Sequence, residues 1–215
     1  MRRKEKFIEK EIFHICNKSI ANFKIFNKNE SCLRFLEILE YYNDFKIVKS
    51  FSDYLNINKK YDYRGLLYLK KKPRVKFLCF CIMPDHYHLL LKIISKDFSL
   101  FISRVENSYS RYFNLKHKRK GPLWQSSFKA VRIVSNVQLL HVSRYIHLNP
   151  TSKCLVNKPE DWQFSSYKDY VSNDIFFKKT FKEISISNTK SYMKFVEDQQ
   201  DYQKKLKQIK NLLLD

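Results

Sequence analysis

His86 and His88 bracket a tyrosine in IMPDHYHLLLK, residues 82–92. Imidazoles two apart on an extended chain project from one side, with Tyr87 on the other. Two rings so placed suit a divalent metal; the plainer alternative is one ring capping a strand and the other lining a wet groove. Such a metal shell is incomplete, so it needs oxygen or amide donors from elsewhere and leaves positions for phosphate oxygens. Far along the chain, Tyr145 and Asn149 lie four apart in a helical pattern and share a face near its C-terminal end. Asn149 supplies a third protein ligand if that helix crosses the sheet bearing the histidines, and Tyr145 then reaches a phosphate held there. A phenol is a weak nucleophile near neutrality because its ordinary pKa is about 10. An adjacent cation offsets this by stabilising the phenolate and polarising the scissile phosphate. The combination specifies phosphoryl transfer through a covalent phosphotyrosine. Against it, 14 tyrosines make such spacing easy by chance, and Tyr109 and Tyr112 are rival nucleophiles on another helix.

These groups need a scaffold. Val75 to Met83 reads as a strand, Met83-Pro84-Asp85 as a short turn, and His86 to Ile94 as the neighbouring strand. EIFHICN, residues 11–17, reads as a first strand whose His14 faces a groove or simply covers the sheet. A helix from Asn29-Glu30 to about Asn43-Asp44 follows from Leu33, Leu36, Ile38 and Leu39. Residues 45–70 are irregular, with room for a short helix and a basic loop. A second helix, 99–118, is expected to start at Ser99 and bury Phe101, Ile102, Val105, Tyr109, Tyr112 and Phe113. Its other face carries Arg104, Arg111 and Lys116 and runs into Lys118, Arg119 and Lys120 before Gly121-Pro122, either a solvated end or a phosphate grip. Trp124-Gln125 precede a strand, SSFKAVRIV, with Lys129 on one parity and Phe128, Ala130 and Arg132 on the other. A third helix, Asn136 to Leu148, is expected to stop at Asn149-Pro150. DWQFSSYKDYV and an amphipathic tail (Tyr202, Leu206, Ile209, Leu213) complete the chain, the tail either docking on the body or reading DNA. The order strand, helix, strand, strand, helix, strand implies an α+β fold, a ferredoxin-like α/β sandwich with an antiparallel sheet. Helices would cover one face, leaving the other free for a polynucleotide, and the histidines would lie on a central strand. Residues 1–170 then form the main domain and 171–215 a basic helical extension.

The net charge of +21, from 42 Lys and Arg against 21 Asp and Glu, calls for an anionic partner. No apolar run is long enough to span a membrane, and MRRKEKFIEK has no signal-like apolar core, so nucleic acid is favoured over a membrane. Five irregularly spaced cysteines argue against a disulfide framework and for a cytoplasmic setting. Cys79 and Cys81 invite a zinc reading, yet they sit within VKFLCFCIM, where buried thiols are the simpler account.

CIMPDHYHLLL resembles the histidine-hydrophobic-histidine motif of the HUH endonucleases and, more narrowly, of the REP-associated and IS200-like single-tyrosine transposases. Further stretches resemble that group in the same order: EIFHICNKS, GPLWQSSFKAVRI, RYIHLNP at 144–150 and DWQFSSYKDY, together covering about residues 8–170. The resemblance implies an HUH-type fold in which His86, His88 and Asn149 bind Mg²⁺ or Mn²⁺ and Tyr145 is the nucleophile. It implies cleavage of single-stranded DNA beside a hairpin or palindromic element, leaving a 5′-phosphotyrosine and a free 3′ hydroxyl that can rejoin strands. Asparagine at 149, where the IS200-like branch commonly has glutamine, fits the REP-associated branch. Lys18-Ser19 departs from the family's usual Arg-Gly. His14, His141, His147 and Gln125 are expected to support the site or face DNA, with Lys129, Arg132 and the basic helix residues as further DNA contacts. The active site is complete in a monomer or assembled across a homodimer, and DNA-bound protein would associate with the nucleoid. Competing accounts are a non-catalytic hairpin-binding protein and an RNA-processing or RNA-binding protein.

Overall fold

Alternation in β1, Ile12–Lys18, divides the molecule: Phe13, Ile15 and Asn17 are buried, while Ile12, His14, Cys16 and Lys18 are half-exposed on the other side. The computed structural model describes residues 7–47, 49–62, 72–172, 183, 186 and 188–200. β2 (Val75–Ile82), β3 (His86–Ile93) and β4 (Lys129–Ile133) join β1 in an antiparallel sheet of order β2-β3-β1-β4. The β3 histidines therefore lie on an inner strand. This is the ferredoxin-like sandwich.

One face packs against α1 (Asn29–Tyr42) and α3 (Phe98–Lys116), burying Phe13, Ile15, Phe77, Phe80, Leu89 and Leu91 with Phe35, Leu39, Phe101 and Tyr109. The second face was expected to be free. Instead, α4 (Asn136–Ser152), α5 (Tyr167–Val171) and α6 (Thr189–Glu197) cover its β2–β3 half. The reason lies in the strands, which are apolar on both parities: Leu78, Cys79, Cys81 and Leu90 form a second core with Ile146, Leu148, Tyr167, Tyr170, Tyr192 and Val196. A register shift between Phe77 and Cys79 lets the consecutive Leu78 and Cys79 enter that same core, where simple alternation would part them. Both thiols are buried. What stays open is the β1–β4 side, with His14, Cys16 and Lys129.

The helix ends differ in detail from expectation. α3 begins one residue before Ser99, with Asp97 at the cap position and its carboxylate held by Arg74 and Ser95. α4 passes through Pro150 to Ser152: the proline forgoes its own helical N–H bond, yet the turn after it still closes, with Lys153 N–H on Asn149 O at 3.1 Å. Its start is a reciprocal cap: Ser135 Oγ accepts from Gln138 N at 3.1 Å and Gln138 Oε1 from Val134 N at 2.8 Å. The irregular stretch contains α2, Phe51–Asn58, capped by Ser50. The amphipathic tail from Tyr202 lies outside the described residues. Among the described residues no helix is long and apolar enough to cross a membrane.

One buried carboxylate ties α3 to the sheet behind the histidines. Glu106 Oε1 accepts from Asn17 Nδ2 and from Tyr87 Oη, each at 2.7 Å, and Trp124 Nε1 donates to the Glu106 carbonyl at 3.2 Å. Asn17 and Tyr87 are themselves cross-strand partners. Glu106→Ala strands two buried donors and is expected to lower unfolding free energy by about 3 kcal/mol in urea denaturation. Glu106→Gln, which keeps an acceptor oxygen, should cost clearly less; equal losses would show that the hydrogen bonds are not what holds the strands.

Candidate active site

The β1–β3 register sets Cys16 opposite His88 and Lys18 opposite His86, all on the face away from Glu106. His14, two residues before Cys16, shares that face, and its Nε2 lies 3.0 Å from His88 Nδ1. Burial lowers the His14 pKa to about 4, so the ring is neutral near pH 7 and one imidazole N–H donates to the bare nitrogen of the other. The His86 and His88 rings stand perpendicular, with centroids 4.9 Å apart. His86 Nδ1 meets Asp85 Oδ1 at 2.6 Å, and Lys18 Nζ meets the other Asp85 oxygen at 3.4 Å. Burial alone would raise the Asp85 pKa, but the hydrogen bonds and charges of His86 and Lys18 prevail and hold it at about 2. A carboxylate that takes the Nδ1–H leaves His86 Nε2 to offer its lone pair, the support that metal-binding histidines commonly have. In this respect the residues fit a divalent ion.

Tyr145 arrives from α4. Its ring centroid lies 5.6 Å from His88 and 6.3 Å from His14, nearly edge-on to both, and the residue is 39% exposed. Asn149, one turn on, is buried. The opposite side of α4 is anchored by His147, whose Nδ1 lies 2.7 Å from Tyr192 Oη and Nε2 2.9 Å from Ser166 Oγ; Tyr192 Oη also donates to Ser143 Oγ at 3.0 Å. Burial pushes the His147 pKa down to about 3. His147 is thus a core residue and does not face DNA: two steps along a helix from Tyr145, it points into the second core and bears on the site only by seating α4.

The remaining candidates scatter. Lys129 is exposed and pairs across from Cys16, whose thiol pKa is raised by burial and partly restored by that lysine. Arg132 lies on the other parity and forms a two-pronged ion pair with Glu11, at 3.0 and 3.2 Å. Gln125 is exposed beside the end of β1, its N–H donating to Lys18 O at 2.9 Å. Arg104, Arg111 and Lys116 line a groove between α1, α2 and α3, in the helical layer behind the sheet; Lys116 pairs there with Glu30 at 2.5 Å. Lys118 and Lys120 are exposed in the following loop, while Arg119 folds back onto Asn114 Oδ1 at 3.0 Å and Pro122 O at 2.7 Å. His141 meets Arg144 at 2.8 Å and packs on Phe195. Of the rival tyrosines, Tyr109 is fully buried, donates to Ile25 O at 2.8 Å and has its pKa driven far up by burial. Tyr112 contacts Glu30 and Lys116 in the same rear layer.

Cys16 is the residue that sequence reasoning passed over. Among the described residues, His14, Cys16 and His88 form a group able to hold a metal, their ligand atoms all within 4.8 Å of one another. The signal was present as His-x-Cys on one strand, the same two-residue spacing as His-x-His on the other.

The family described as "Transposase IS200 like" matches residues 56–149. A protein of Haemophilus influenzae named "Putative REP-associated tyrosine transposase" is 27% identical over 107 residues, covering 45% of this chain and 61% of that protein, so the match spans less than two thirds of the relative. A solved REP-associated tyrosine transposase bound to a REP hairpin superposes with a TM-score of 0.58 at 16% identity, over 80% of this chain and 86% of that one. That likeness is one of fold.

Since α4 is seated by His147, His147→Ala should cost about 3 kcal/mol of stability through the cavity and the loss of the imidazole's hydrogen bonds to Tyr192 and Ser166. Tyr192→Phe, which removes only a hydroxyl, should cost about 1 kcal/mol. Thermal unfolding of both variants checks the order; an unshifted midpoint for His147→Ala would contradict this seating.

Proposed function

We propose that this chain, which is similar to the IS200-like and REP-associated tyrosine transposases, is a metal-dependent endonuclease and strand transferase of the HUH kind. Its substrate is single-stranded DNA beside a hairpin or palindromic element. The observation that carries this reading is the placement of Tyr145 over His88 within one chain.

Tyr145 Oη attacks the scissile phosphorus. A bond forms between Oη and phosphorus, the bond to the 3′ oxygen breaks, the phenol proton leaves to solvent, and the departing 3′ oxygen takes up a proton. The 5′ phosphate stays on Tyr145. A 3′ hydroxyl then attacks that phosphotyrosine, restores a phosphodiester and returns the tyrosine. His86, His88 and Asn149 would hold Mg²⁺ or Mn²⁺, which when bound would polarise the phosphate and ease ionisation of the phenol. Asp85 orients His86. Lys18 and Lys129, at the margin of the open side of the sheet, attract the sugar-phosphate backbone. Residues 1–170 carry the chemistry, and the 171–215 extension contributes through α6, which seats the helix bearing Tyr145. The juxtaposition of Tyr145 and His88 in a single chain supports a site complete in a monomer over one assembled across a homodimer. Bound to its substrate, the protein resides with the nucleoid.

With Mg²⁺ or Mn²⁺ and a hairpin-bearing single strand, the protein should form a covalent adduct that survives denaturing electrophoresis. Tyr145→Phe should abolish the adduct and leave binding largely intact. An adduct that persists in Tyr145→Phe assigns the nucleophile elsewhere. Binding without any wild-type adduct across hairpin substrates favours a non-catalytic hairpin binder, and the same assay on RNA separates the RNA readings. His86→Ala, His88→Ala or chelation should remove cleavage; cleavage indifferent to all three defeats the metal role.

A further inference from the structure

We infer that His14, Cys16 and His88 form a binding site for a borderline-soft divalent ion, zinc in the first instance. This donor set differs from the imidazole-and-amide set proposed for magnesium or manganese and shares only His88 with it. The inference does not depend on strand transfer.

The geometry comes from the sheet. Cys16 and His88 are direct cross-strand partners, His14 is two residues along the same face, and one ligand atom from each lies within 4.8 Å of the others. Two nitrogens bound to zinc at roughly 2.0–2.1 Å with a tetrahedral angle stand about 3.3 Å apart. His14 Nε2 and His88 Nδ1 are already 3.0 Å apart, so an ion entering between them needs a parting of only a few tenths of an ångström. The proton they share moves to the far nitrogen of its own ring. Cys16 Sγ lies within 4.8 Å of a ligand nitrogen of each ring, so the closure it needs is within reach of a side-chain adjustment. A thiolate with two imidazoles is a donor set that magnesium avoids and zinc prefers. Three protein ligands leave a fourth position for water or an oxygen donor.

Lys129, a cation, is the direct β4 partner of Cys16 on the same face of the sheet. On binding, a sulfur–zinc bond forms, the Cys16 S–H bond breaks, and one proton passes to the buffer.

Metal-free, reduced protein titrated with Co²⁺ should develop a thiolate-to-cobalt charge-transfer band in the near ultraviolet, saturating at one equivalent. Zn²⁺ should bleach it and release about one proton per ion. Cys16→Ser should lose the band and that proton. Its zinc affinity should fall at least as far as the roughly 10- to 100-fold lost when contacts merely supporting a metal are removed. His14→Asn should weaken affinity comparably, whereas His86→Gln should keep the band. A wild-type cobalt complex lacking the band overturns the site, and so does a band that persists in Cys16→Ser or vanishes in folded His86→Gln. Because the readout is spectral, failure of adduct formation with DNA leaves this result unaffected, and the reverse also holds.

Discussion

Everything at the site depends on β1 and β3 pairing in one register. With Asn17 opposite Tyr87 and both donating to Glu106, residues of the other parity are committed to the other face: Cys16, Lys18, His86 and His88. A slip of one residue would turn the imidazoles into the aromatic core and Tyr87 towards α4. A buried carboxylate is costly unless its oxygens are satisfied. Here its donors come from two different strands, so the arrangement is favourable only when those strands are in register. The polar group therefore selects one pairing as well as contributing to stability.

α4 solves a second problem, which is to place one face of a helix in a core and another beside an open site. Ser143 and His147, four apart, point inward to Tyr192, while Tyr145 between them points to the histidines. The inward side is polar and aromatic, and this fixes rotation about the helix axis more tightly than apolar packing alone. A hydrogen bond has a direction, and a Leu–Leu contact does not. The placement of Tyr145 is thereby coupled to α5 and α6 through Ser166 and Tyr192, although neither of those helices approaches the chemistry.

The succession of strands and helices along the chain, the inner position of the histidines, the rear packing of α3 and the burial of Cys79 and Cys81 were legible, because period-two and helical patterns report elements and their buried sides directly. Coverage of the second face was not. VKFLCFCI and HLLL are apolar on both parities, which calls for cover on both faces, but the covering residues Tyr167, Tyr170 and Tyr192 sit in segments too short or too polar to read as core. Pro150 does not end α4, because the loss of its own N–H leaves the next turn able to close, as Lys153 N–H does on Asn149 O. His147 misled because helical phase decides whether a histidine faces in or out, and a weakly amphipathic helix does not declare its phase. The juxtaposition of His14 with His88 needed the pairing of β1 with β3, which neither strand's own pattern specifies.

His88 is where two environments meet. On one side stands His86, braced by an acidic oxygen and a lysine; on the other stand His14 and a thiol. An imidazole of intermediate hardness can serve either neighbour, whereas a carboxylate would favour only hard ions and a thiolate only soft ones. Which donors converge with it depends on strand pairing, since Cys16 comes from β1 and His86 from β3 itself. Two donors from one strand have their spacing set by the pleat alone, while a donor from the partner strand brings the register into the coordination. The interaction behind the sheet that holds the register, Glu106 with Asn17 and Tyr87, thus acts through one thickness of backbone on what can assemble in front of it.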